Sequence, residues 1–174
     1  MSSGSAPARS GRLIVGVTDE LGIDVDRFRI ATGASDTNRY FSGLEIAALA
    51  ALAIVYRFLS GIVKGAGDRA EAHGERLGAA AVDALADRVT TLAHRAQEAL
   101  RSPATDVDVV VPSLQAELDV LLEGDVERIR ALVGHDDVDR ASKEIAELLR
   151  DNGFPEARAR AVAGRVARRL VEEW

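Results

Sequence analysis

Val82, Leu85, Val89, Leu92, Ala96 and Ala99 follow one another at intervals of 3, 4, 3, 4 and 3 residues. That is the seam of a helix packed along its length against another helix. Its start is predicted at Asp68-Arg69-Ala70-Glu71, where Asp68 suits a cap, and its end at Arg101 before Pro103. Upstream, Ser42-Gly43-Leu44-Glu45 is a capping box, with Phe41 and Ile46 as the hydrophobic staple. The helix it opens is predicted to reach about Val63 and stop at Lys64-Gly65-Ala66-Gly67, where glycine permits a left-handed cap. The two helices then form a long antiparallel hairpin.

Two stretches read differently. Leu13 to Val17 is a short apolar run, Thr18 to Gly22 has turn chemistry, and Val25, Phe28 and Ile30 follow among charged residues in an extended-looking stretch, which predicts a small N-terminal β element. Asp106 to Val111 before Pro112 reads as a further strand, and Ser113 as the cap of a helix carrying Leu114, Leu118, Leu121 and Leu122. Beyond Gly124, the apolar face resumes at Val126, Ile129, Leu132 and Val133. Asp136 or Asp137 is then predicted to cap a helix ended by Asn152-Gly153, and Pro155 to open a last helix.

The fold class expected is mainly α, of α+β type: a long helical hairpin and C-terminal helices with a small N-terminal β element. Residues 1–12 read as a disordered tail, 13–111 as the β element with the hairpin, and 112–174 as a helical segment packed on the rest as one domain. The loop Arg150-Asp151-Asn152-Gly153-Phe154-Pro155 resembles the glycine–aromatic–proline loop of ubiquitin-associated domains over those few residues. Any helix–turn–helix joint has the same chemistry, so no family is assigned.

Composition narrows the function. At 174 residues the chain is long enough to bury a core without metals or cross-links, and it has no cysteine, which removes disulfides, thiolate metal sites and cysteine nucleophiles. A net charge of −6 argues against a broad nucleic-acid surface, and 4% aromatic residues leave few rings for stacking. The N-terminal residues lack an apolar core for secretion, so the cytoplasm is the expected compartment.

Leu44 to Val63 is the segment with an alternative. It is 20 residues long and almost wholly apolar, long enough to cross a bilayer, and it carries the small-residue rows Gly43-Ala47-Ala51 and Gly61-Gly65. Glu45 and Arg57 interrupt it, and with Ser60 and Lys64 they gather on one side, which favours a nearly buried core helix over a membrane span.

Catalytic motifs are missing. Gly65-Ala66-Gly67-Asp68-Arg69-Ala70 has the form of a dinucleotide fingerprint, but a capped helix precedes it instead of a strand. Asp83, Asp87, Thr90, His94 and Glu98 share one helix stripe, which a solvated face explains without a metal. There is no nucleophile elbow, P-loop or zinc-protease motif, so no catalytic, cofactor-binding or metal residue is assigned. Arg158, Arg165 and Arg169 align on the last helix, set against Val162, Val166 and Leu170, and Trp174 offers an apolar anchor. The expected function is a non-catalytic scaffold or adaptor that self-associates or binds a protein partner. Its interface candidates are Val82, Leu85, Val89, Leu92, Arg158, Arg165, Arg169 and Trp174. The alternative is a membrane-associated protein using residues 44–63.

Overall fold

The computed structural model describes residues 9–22, 43–72, 76–102, 106–124 and 134–173. Among them the chain forms six α-helices and no strand: α1 (Arg9–Leu21), α2 (Gly43–Ala72), α3 (Arg76–Arg101), α4 (Val107–Glu123), α5 (His135–Asp151) and α6 (Glu156–Glu173). Segment 23–42 with Val25, Phe28, Ile30 and the Ser42 cap, segment 125–133, and Trp174 lie outside the described residues.

α2 is the axis. Every residue from Ala50 to Tyr56 has 0% exposure, which is possible for a helix only when neighbours cover all sides. Those neighbours are α3 and α5, with α1 and α4 completing the enclosure, while α6 packs on α5 and α1. One continuous core runs from Leu13 in α1 to Leu170 in α6. Each fully buried Leu, Val, Ile or Phe side chain in it contributes about 1.5–3 kcal/mol before conformational entropy is set against it.

The expected N-terminal β element is absent where the chain is described. Leu13 to Val17 lies in α1, because the residues that reach the core are Ser10, Leu13, Val17 and Leu21, a helical interval hidden inside a continuous apolar run. Thr18 to Leu21 is the last turn of that helix, and Gly22 takes a positive φ of 53° just past its end. α1 also includes Arg9 to Arg12, which the sequence places in a disordered tail.

Asp106 to Val111 is likewise helical. The N–H groups of Val109 and Val110 donate to the Asp106 carbonyl, so α4 starts six residues before the expected Ser113 cap. β-branched valines suggest a strand locally, but burial of Val107, Leu114, Leu118, Leu121 and Leu122 rewards the helical period. Pro112 sits inside the helix, removing one intrahelical donor near its start.

α2 does not stop at Lys64. It continues through Gly65 and Gly67 to Ala72, and Asp68, read as a cap, lies inside it and pairs with Arg140 at 2.7 Å. These glycines serve close approach. A Cβ on Gly61 would lie 2.6 Å from the Ala141 Cα, and one on Gly65 would collide with the Asp137 side chain. The small-residue row therefore meets α5 of its own chain.

The C-terminal joint follows its caps. The Gly134 N–H donates to the Asp137 carboxylate at 2.9 Å, fixing the start of α5 with Gly134, not Asp136 or Asp137, at the cap. At its end the Phe154 N–H donates to Leu149 O and the Gly153 N–H to Arg150 O, both at 3.0 Å, with Gly153 at φ 89°. That is a Schellman motif, and the burial of Phe154 and Leu149 supplies its apolar contact.

Candidate interaction surface

The polar stripe of α2 is an internal seam. Arg57 donates to Glu144 of α5 at 2.9 Å and to Gln97 of α3 at 3.3 Å, Lys64 lies 3.9 Å from Glu144, and the Ser60 and Thr90 hydroxyls are 3.4 Å apart. One guanidinium thus joins three helices. One residue before Arg57, the Tyr56 hydroxyl donates to the Leu114 carbonyl of α4, and burial pushes its pKa well above the ordinary phenol value.

The expected interface residues divide into three groups. Val82, Leu85, Val89 and Leu92 are all buried in the core, so the heptad seam is closed by α2 and offers no free face. Arg158, Arg165 and Arg169 border the buried face of α6. Arg165 lies 3.6 Å from Glu20 of α1, Arg169 pairs with Glu173 at 3.4 Å, and a Cβ on Gly16 would sit 3.4 Å from the Arg169 Cγ. Two of the three arginines therefore secure α1 to the edge of α6 or pair along it. Trp174 lies outside the described residues.

Among the described residues, several surface grooves carry charged linings. One of 520 Å³ between α5 and α6 contains Arg150 and Arg160, both paired with Glu156 at 2.9 and 2.8 Å. The Arg150 hydrogen bond holds the Glu156 carboxyl below its ordinary range. Two others are framed by the Glu20–Arg165 and Asp68–Arg140 pairs. His94 and Glu98, 3.1 Å apart, form a surface pair, and no group of three potential metal ligands occurs among the described residues.

A different surface emerges on α4. Leu114, Leu118, Leu121 and Leu122 face inward, which turns Val109, Pro112, Ala116 and Val120 outward along one line of the helix. Val109 is 63% and Val120 57% exposed, two of only four large apolar side chains so exposed among the described residues. The line is edged by Asp108, Asp119 and Glu123. The expectation of a strand over 106–111 hid this face. Its signal is present as the intervals of 3, 4 and 4 linking positions 109, 112, 116 and 120. No family model matches the chain, and neither a curated protein nor a solved structure matches it.

Proposed function

We propose that this chain is a non-catalytic helical interaction module, a scaffold or adaptor that self-associates or binds a protein partner through the outer face of α4. The observation that carries this reading is the exposed line Val109, Pro112, Ala116 and Val120, when among the described residues only Val15 and Val171 are other large apolar side chains so exposed. An acidic edge around an apolar line is the make-up of a groove or helix face that recognises an amphipathic helix. In the charged grooves Asp68, Glu156 and Glu20 are paired with Arg140, Arg150 and Arg165.

A photo-crosslinking residue at position 120 tests the reading in the cells that produce the protein, with position 83 on the exposed side of α3 as control. Protein adducts from 120 and none from 83 are expected. A position 120 that yields no more protein adduct than position 83 overturns it.

A second reading has its own observation. Ala47–Asp68 is long and apolar enough to cross a membrane, with mean hydropathy 1.6, though 83% of it is buried inside the fold. Insertion would require α1, α3, α4 and α5 to open around it. Co-sedimentation with phosphatidylglycerol-containing vesicles favours this reading, and its loss of the soluble pool would be dose-dependent in lipid. Protein that stays in solution at every lipid concentration removes it.

A further inference from the structure

The outer face of α4 restricts what can cover it. From Asp106 to Glu123 the chain carries five carboxylates and no lysine, arginine or histidine. Two copies of this face meeting each other would set Asp108, Asp119 and Glu123 against the same residues of the second copy, and like charges across an interface are strongly disfavoured. The occupant must be cationic, with side chains small enough to admit Val109 and Val120.

The outer face of α6 has that composition. Ala157, Ala161, Gly164, Arg168 and Val171 follow at intervals of 4, 3, 4 and 3 on the side away from Val162, Val166 and Leu170, flanked by Arg160, Arg165 and Glu172; Arg160 pairs with Glu156 and Arg165 with Glu20, and the arginines of the face outnumber its one glutamate. Arg168 is exposed, its Nε donating to the Gly164 carbonyl one turn back. Gly164 is unfavourable in mid-helix, and a Cβ there would meet nothing within 4 Å. Nothing among the described residues calls for glycine at that position, whereas a second backbone passing closely over α6 does. α4 and α6 have similar lengths, 17 and 18 residues, and both outer faces are open in the same molecule.

We propose that α4 of one copy docks along the outer face of α6 of a second copy, its valines over Ala157, Ala161 and Gly164 and its acidic edge against the arginines. The contact is heterologous: a docked pair keeps one unused α6 face on one copy and one unused α4 face on the other, so copies add head to tail until a ring closes or the chain remains open. This rests on α4 being the docking surface and names what fills it. Exposed charge pairs at the rim make the association weaken as salt is added.

Sedimentation velocity of the full chain over a concentration series, at low and high salt, is the test. The expected result is a mass that rises with concentration and falls with salt. Gly164→Leu, placed where the monomer has open space, should weaken association at least tenfold while leaving the melting temperature unchanged or higher. Val120→Asp should weaken it similarly. Mixing these two blocked variants should form a one-to-one dimer, because one retains α6 and the other α4. A wild-type mass independent of concentration, association of Gly164→Leu equal to wild type, or a mixture that stays monomeric overturns the proposal. Protein adducts from position 120 together with a monomeric wild type would reject the second copy as occupant and leave the docking surface standing. No adducts would reject both.

Discussion

A phenol buried at 0% exposure inside an apolar helix needs an acceptor, and Tyr56 has the Leu114 carbonyl. Tyr56→Phe keeps the ring and removes one hydrogen bond, so chemical denaturation should report a loss of about 1 kcal/mol. Glu156 makes a different prediction. Its carboxyl titrates below the ordinary range because Arg150 donates to it, so its contribution is present above the unfolded pKa and lost as pH falls through the folded one. Carboxyl-carbon NMR should place its midpoint below that of a free glutamate, and Arg150→Ala should move it upward. Gly164→Ala should stabilise the monomer by about 0.5–1 kcal/mol in thermal or urea unfolding, since the added methyl meets nothing.

At the scale of elements, the crossing of α2 and α5 has no slack. Gly61→Leu drives a side chain into the Ala141 backbone, where a single Cβ already stands at 2.6 Å, and overpacking of this type costs about 1–3 kcal/mol or more. Ala51→Leu, at 0% exposure, should cost a similar amount in the same denaturation assay. Helix ends governed by local chemistry, such as Asn152-Gly153 and Pro155, were legible in the chain because a cap depends on neighbours within a few residues. Gly65 reads locally as a stop because its neighbour across the crossing, Asp137, is more than 70 residues away in the chain and no local pattern reveals it. Leu13 to Val17 and Val107 to Val111 were misread because β-branched runs favour strands until tertiary burial selects the helical period. The seam from Val82 to Leu92 packs against α2, the neighbour that the predicted hairpin supplies, and leaves none of these residues for a partner.

For the whole molecule, Glu144 ties α5 to the axis by holding Arg57, with Lys64 nearby. Glu144→Ala leaves Arg57 half-buried without its anion and should lower stability by about 1–3 kcal/mol, and Arg57→Met in the same background should recover part of it. The order of synthesis adds a consequence for the central helix. α2 emerges well before α5, the helix that closes over Gly61 and Gly65. With roughly 60 residues between the end of α2 and the start of α5, and translation at about 5–20 residues per second, that apolar flank waits several seconds for its cover. A nascent chain in that interval presents the most hydrophobic segment of the protein to whatever lies beside the ribosome. Chaperone demand should therefore peak before residue 135 is made and fall once α5 docks.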